Sequence, residues 1–312
     1  MANIVNWKDE YHVSGDRIVL TNSEAQIPGI RIIARHKIKN AMLPLLPHYH
    51  EGAYEFTLIT EGKMSFYTNK REYTVSGNCV FVSFPDEVHS TNNTPITLNQ
   101  QYWIQLDVTD NKNILFLSEE ASANLVADLS KIDQRLIQTD DGELRHALKK
   151  AFDICCANGN RRQAAAYIHI FLETLIAASL NKQDNVCADI DNALSYLEEH
   201  IEEDLQLADL ADFCHLSTSR FKQKFRRVVG TAPRHYINEK KITRAKKLLK
   251  EGKSVTDVAM QLNFNNSSYF ATVFKKYALL TPTQYAYKHL LGGEVDKEKE
   301  NVKRAINLGR DN

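Results

Sequence analysis

Residues 47 to 56 read PHYHEGAYEF, and three of them could do chemistry. His48 and His50 stand two apart, and Glu55 follows five residues after His50. In a strand, residues i and i+2 point to one face, so two imidazoles and a carboxylate could share a surface. Such a set could hold a metal ion. The same groups could bind the hydroxyls of a small ligand, or simply pack. The residue types leave all three readings open. Gln101 and Trp103 stand at i and i+2 in QQYWIQLDV. They would put a polar group and an aromatic surface on one strand face; plain core packing is the alternative for Trp103.

The rest of the chain must position these residues. At 312 residues, 43% hydrophobic and 25% charged, it reads as a folded globular protein too long for one ordinary core, so two domains are expected. No stretch reads as the ~18 apolar residues of a membrane span. The start, MANIVNWKDEY, lacks the layout of a signal peptide. Cys79, Cys155, Cys156, Cys187 and Cys214 form an odd set without a CxxC. Reduced thiols and a cytoplasmic location are therefore expected, with no membrane partner.

Residues 17 to 108 read as short strands: RIVLT, IRIIARHKI, EFTLIT, KMSFYT, EYTVS, CVFVSF and YWIQLDV. They are rich in β-branched and aromatic residues and broken by Gly, Asn and Pro. Such spacing predicts an antiparallel sandwich or barrel. From Ala121 the pattern turns helical, and RRQAAAYIHIFLETLIAASL sets Ile168, Phe171, Leu172, Leu175 and Ile176 on one stripe. That stripe could pair two subunits or be buried within one.

The formal net charge is zero, yet the stretch from Phe213 to Lys288 holds 16 basic and three acidic residues, a net of +13. Such a block suggests a polyanion partner, usually nucleic acid, against the alternative of a solvated helical surface. It also contains a repeat. FCHLSTSRFKQKFRRVVGTAPRHYI lies on LNFNNSSYFATVFKKYALLTPTQYA with an offset of 49. In each copy a short apolar helix precedes a tight turn and a polar helix anchored by two Phe at i and i+4. This is the grammar of a helix-turn-helix. With Phe221 and Phe225 facing inward, Ser219, Lys222, Gln223 and Arg226 form an outward stripe. Ser268, Ala271, Thr272 and Lys275 form the second. Residues near the helix starts would meet base edges. Arg226, Arg227, Lys275 and Lys276, near the ends, would meet phosphates.

The C-terminal hundred residues resemble the DNA-binding domain of AraC/XylS-type transcription regulators. PRHYINEKKITRAKKLL stands as the connecting helix and VTDVAMQLNFNNSSYFATVFKKYALLTPTQY as the second unit. The resemblance implies two units reading adjacent major grooves, with Ser219, Lys222, Gln223, Ser268, Tyr269 and Thr272 at base-contacting positions. Three residues depart from the family pattern: Lys241 for Arg in the connecting helix, Asn263 for the Gly before Phe264, and Leu279 for the Gly after the second reading helix. The N-terminal half resembles the cupin barrel these regulators use as a sensor. HYHEGAYEFTLITEG matches the first cupin motif through His48, His50, Glu55 and Gly62; Gly77, Pro85, His89 and Asn93 match the second less closely.

The expected fold class is thus α+β with two domains. An N-terminal cupin-like antiparallel β-barrel with helices precedes an all-α domain of two helix-turn-helix motifs joined by a connecting helix. Expected boundaries are 1–180 for the effector-binding and dimerisation domain, 181–190 for a linker, 191–291 for the DNA-binding domain and 292–312 for a charged tail. The expected function is a sequence-specific transcription regulator, an activator and not an enzyme. Its partners would be double-stranded DNA with direct or inverted half-sites, RNA polymerase and a second copy of itself. The effector, a small carbohydrate, would meet His48, His50, Glu55, His89, Gln101 and Trp103, without a cofactor or metal. The alternative is a metal-binding cupin sensor or cupin enzyme using His48, His50, Glu55 and His89.

Overall fold

The computed structural model describes residues 4–110, 112–138, 142–180 and 188–290. The strands are β1 (Val5–Asn6), β2 (His12–Val13), β3 (Arg17–Thr21), β4 (Ile30–Ile38), β5 (His48–Tyr49), β6 (Ala53–Thr68), β7 (Arg71–Ser76), β8 (Cys79–Ser83), β9 (His89–Ser90), β10 (Asn99–Asp107) and β11 (Leu136–Gln138). They form one curled sheet in the order β1-β5-β9-β6-β10-β4-β3-β2, with β7 on β6 and β8 between β6 and β11. Pairing is antiparallel as expected, except that β1 runs parallel to β5.

EFTLIT and KMSFYT read as two strands but form one, β6. The chain bends at Gly62 instead of turning back. Gly62 has φ +78°, and a Cβ there would lie 2.2 Å from the Leu98 carbonyl oxygen, so only glycine fits. The first part of β6 pairs with β8 and β10, and the second with β7 and β9.

Alternation along β10 sorts the layers. Tyr102, Ile104 and Leu106 join Phe56 and Leu58 of β6 in the main core. Helices α3 (Glu143–Cys156) and α4 (Arg161–Leu180) cover that face with Leu148, Phe152, Phe171 and Leu172. Each such side chain contributes about 1.5–3 kcal/mol when fully buried. The opposite face of β10 carries Gln101, Trp103 and Gln105 into the curl. The stripe on α4 that could have paired two subunits is fully covered within the chain at Ile168, Phe171, Leu172 and Leu175. Helix α4 is also long and apolar enough to cross a membrane by length and composition, which corrects the expectation that no stretch is. Two short helices, α1 (Asn22–Ala25) and α2 (Glu119–Leu129), complete this half.

Helix α5 (Ala188–Glu199) begins inside the expected linker, so the end of 181–190 is helical; residues 181–187 and the tail 292–312 lie outside the described residues. Then follow α6 (Leu207–Phe213), α7 (Thr218–Val229), α8 (Pro233–Lys250), α9 (Val255–Gln261), α10 (Ser267–Ala278) and α11 (Pro282–Leu290). Helix α10 starts and ends 49 residues after α7, whereas α9 follows α6 by 48, so the second turn is one residue longer. Phe221, Phe225, Phe270 and Phe274 are all fully buried, as the repeat predicts. Ser217 and Asn266 cap the two polar helices by accepting bonds from the Arg220 and Tyr269 amides. In the turns, His215 (φ 55°) and Asn263 (φ 50°) take left-handed backbone, a conformation Asn tolerates. Leu279 also has positive φ, 65°, where Gly230 ends α7 at 78°, but its ψ is −34° against 1°, so α10 closes with a different geometry from α7 and with strain that glycine would avoid. Lys241 of α8 is buried and donates to the Leu262 carbonyl at 2.7 Å, tying the connecting helix to the second turn.

Candidate functional site

The two-residue strands β5 and β9 pair at His48 and His89, and β6 brings Glu55 beside them. The ring centroids lie 4.3 Å apart for His48–His89, 5.3 Å for His48–His50 and 5.3 Å for His50–His89. Glu55 Oε2 is 3.0 Å from His50 Nε2, and its Oε1 is 3.8 Å from His89 Nε2. The structure thus gathers the four residues that the motifs singled out, all buried. His50 follows β5 and does not lie within it, so strand alternation is not what aligns the two histidines. Asn93, the last residue of the second motif, is exposed and stays outside.

Three partners had no local signal or a weak one. The Gln105 amide donates to Glu55 Oε2 at 2.9 Å and to Asp9 Oδ2 at 3.2 Å. Asp9 and Trp7 come from the N-terminal segment, which β1 docks onto β5. Gln105 was findable: it is two residues beyond Trp103 on the same face. The Trp7 carbonyl accepts from His50 Nδ1 at 3.1 Å.

The electrostatics follow from burial and neighbours. Burial disfavours a charged His50, but the Glu55 carboxylate, its hydrogen bond, the Trp7 carbonyl and Asp9 outweigh it and raise its pKa. Burial would raise the Glu55 pKa, but His50, His89 and the Gln105 amide hold it well below the usual carboxylate range. Burial lowers His48 and pushes His89 down to about 4. It also raises Asp9, with Glu55's charge adding to the effect. One ring nitrogen of each histidine lies within 4.8 Å of the others, so His48, His50 and His89 could hold a metal ion.

Gln101 and Trp103 lie farther along the same inner face. Gln105 pairs with Glu55, Trp103 with Thr57 and Gln101 with Ile59. They sit one and two same-face steps from the cluster, not in it. Trp103 packs with Val19, Ile32 and Ala34. Gln101 Oε1 is buried without a hydrogen-bond partner among the described residues.

On the second half, Ser219, Lys222, Gln223, Arg226 and Arg227 on α7 are exposed, as are Ser268, Tyr269, Thr272 and Lys275 on α10. Lys276 is half-buried, and its carbonyl accepts from the Ala41 amide at 2.8 Å. Arg226 pairs with Glu61 of β6 at 2.6 Å, and Lys63 pairs with Glu239 of α8 at 2.7 Å. Asn78 Nδ2 donates to the Arg227 carbonyl at 3.4 Å. The N-terminal half thus holds the ends of both polar helices, α7 through Glu61 and Asn78 and α10 through Ala41.

Residues 46–175 match the family model of an AraC-like ligand binding domain, and residues 210–288 that of a helix-turn-helix domain. The HTH-type transcriptional activator RhaS of Citrobacter koseri is 24% identical over 251 residues, 74% of this chain and 84% of that one. An uncharacterized HTH-type transcriptional regulator of Staphylococcus aureus is 33% identical over 97 residues. That match takes 31% of this chain, which spans only 13% of the staphylococcal protein's length. Among solved structures, an AraC-type DNA-binding regulator from Chromobacterium violaceum covers 32% of this chain and 91% of its own, at 25% identity and a TM-score of 0.31. ToxT from Vibrio cholerae covers 82% and 97%, at 13% identity and a TM-score of 0.32.

Proposed function

Because the chain belongs to the AraC-type transcription regulators, we propose that it is a transcription activator that binds double-stranded DNA through α7 and α10 and holds a small effector inside the curled sheet. One observation carries the DNA reading. Two polar helices, 49 residues apart and alike in length, are each anchored by a buried Phe pair and present polar residues outward from a stretch of net charge +13. Ser219, Lys222, Gln223, Ser268, Tyr269 and Thr272 read base edges in adjacent major grooves; Arg226, Arg227, Lys275 and Lys276 bind phosphates. The likeness to RhaS supports activation.

The effector is a small carbohydrate. The unpartnered Gln101 Oε1 accepts a hydroxyl, and the Trp103 face meets the sugar's apolar side. The chain acts as a cytoplasmic homodimer on direct or inverted half-sites and recruits RNA polymerase. Effector binding alters how the sheet holds the two DNA units, which requires it to bind one arrangement better than the other.

Gel shifts against a selected operator test this reading. Lys222→Ala or Thr272→Ala should cost about 1–3 kcal/mol at the bases those positions read. Arg227→Ala should weaken all sequences alike and lower the salt slope by about 1. If none of these changes operator affinity, the groove assignment is wrong.

A further inference from the structure

A cavity of about 220 Å³ opens between the two halves. Lys37 and Lys39 of β4, Glu61 of β6 and Asn99 of β10 line it from one side, His235 of α8 and Lys276 of α10 from the other. Its one carboxylate is already engaged, because Glu61 holds Arg226 at 2.6 Å. Lys39 is engaged too, by Asp16 at 2.6 Å. Among the described residues, Lys37 and Lys276 have no ion-pair partner. Lys276 is half-buried, and an ammonium drawn out of water without a counter-ion costs free energy that an anion would recover. Burial and then the Lys276 charge lower the His235 pKa, against the pull of Glu61, so that ring is a neutral group in a positive field. Asn99 is only 5% exposed. Its Nδ2 donates to the Thr97 carbonyl at 3.0 Å, which fixes the amide's orientation and leaves Oδ1 a buried acceptor without a partner. Such an acceptor calls for a donor such as a hydroxyl. The volume is room for about seven waters, below the ~300–1,000 Å³ of a pocket for a drug-sized ligand.

We propose that this cavity binds a monosaccharide-sized anion, a hydroxylated carbon chain bearing one carboxylate or phosphate group. The charged group lies between Lys37 and Lys276, one cation from each half, and a hydroxyl donates to Asn99 Oδ1. Duplex DNA is the other anion within reach of Lys276, but a recess of this size does not admit a duplex. The site is separate from the interior of the curled sheet, and binding itself does not depend on the groove assignment. Its consequence does rest on that reading. The bound anion occupies Lys276, proposed to bind phosphate, and favours the arrangement in which Glu61 holds Arg226. It therefore opposes operator binding.

The test is isothermal titration calorimetry on the full-length chain in a chloride buffer of fixed ionic strength. The probes are D-gluconate, D-glucose 6-phosphate and inorganic phosphate. Saturable binding of gluconate or of glucose 6-phosphate, one per chain, is the expected result, and which of the two binds tighter tells carboxylate from phosphate. Lys276→Gln should weaken that binding about 10-fold or more, and Lys37→Gln, at an exposed position, about 2–5-fold. Circular dichroism establishes that each variant is folded, and the titration of the parent chain needs no variant at all. Three results overturn the proposal: no saturable heat from either organic anion at millimolar concentration, equal binding by the parent chain and both folded variants, or inorganic phosphate bound as tightly as either, which would mean an adventitious ion only. Fluorescence anisotropy on the operator duplex reads the consequence. The anion that binds should lower operator affinity of the parent chain about 5-fold or more, and less in Lys37→Gln, whose affinity without the anion should be unchanged. Operator affinity indifferent to a bound anion overturns the opposition to DNA. A chain that binds the anion and no operator refutes the groove assignment alone.

Discussion

Glu61→Gln should tighten operator binding. In the structure Glu61 holds Arg226, a residue proposed to bind phosphate, at 2.6 Å. DNA must take Arg226 from that carboxylate, so the pair opposes binding. The two side chains are 37% and 48% exposed, so water screens the attraction and its worth is about 0.5–1 kcal/mol. Removing it should raise affinity about 2–5-fold. Glutamine keeps the shape and loses the charge. Loss of a negative charge near DNA would also help binding by general attraction, and a double-mutant cycle separates the two effects. Fluorescence anisotropy on a labelled operator duplex, at fixed low salt, gives the four affinities. The gain should appear in the parent chain, vanish in the Arg226→Ala background, and shrink as salt rises. An equal gain in both backgrounds refutes the pairing account, as does an unchanged affinity in Glu61→Gln.

Two further outcomes follow from single groups, one buried and one half-buried. Lys241→Ala removes the charged donor to the Leu262 carbonyl and should cost about 1.5–3 kcal/mol; urea denaturation reads it, and a loss under 0.5 kcal/mol would mean that the bond contributes little. His36 is pushed down to about 4, first by burial and then by the Arg17 guanidinium. The unfolded chain, near 6.5, takes up that proton first. The contribution of His36 is therefore level above the unfolded value and is lost as pH falls through the window down to about 4. In thermal melts across that window, His36→Gln should flatten the decline; an unchanged slope would refute the assignment.

Regular elements were legible because their signal is local. RIVLT and IRIIARHKI coincide with β3 and β4, and the 49-residue repeat gave both polar helices and their Phe anchors. The four residues of the buried cluster were legible as types and spacing. What joins them was not. Strands β5 and β9 have two residues each, too few for any alternation to show. Asp9 and Gln105 meet across 96 positions, which only the sheet order decides. The bend at Gly62 was hidden for the same reason: the obstacle to a side chain there is the Leu98 carbonyl on a distant segment. Trp103 was legible in part. Its face was read correctly, while its neighbours Val19, Ile32 and Ala34 come from other strands and only the sheet order brings them to it.

One strand carries both ends of the regulatory argument. Glu55 and Glu61 stand six residues apart on β6, about 20 Å along an extended chain. The first sits in the histidine cluster and the second holds Arg226. Between them, β6 is paired on both sides, with β8 and β10, and the register slips at Gln100–Gln101, opposite the Glu61 end. A paired strand transmits a shift along its axis better than a free loop, because its neighbours hold it straight up to the slip. On the proposed sites, a ligand at the Glu55 end and DNA at the Arg226 end would be linked, and linkage is reciprocal. Operator affinity, measured with and without a sugar that raises the Tm of the parent chain, should change about 5-fold or more in that chain. That factor should move towards one in Glu61→Gln, which cuts the link at its far end while leaving the cluster intact. The same factor in both proteins would show that β6 does not carry the coupling, and the remaining route would be the N-terminal segment held by the Trp7 carbonyl.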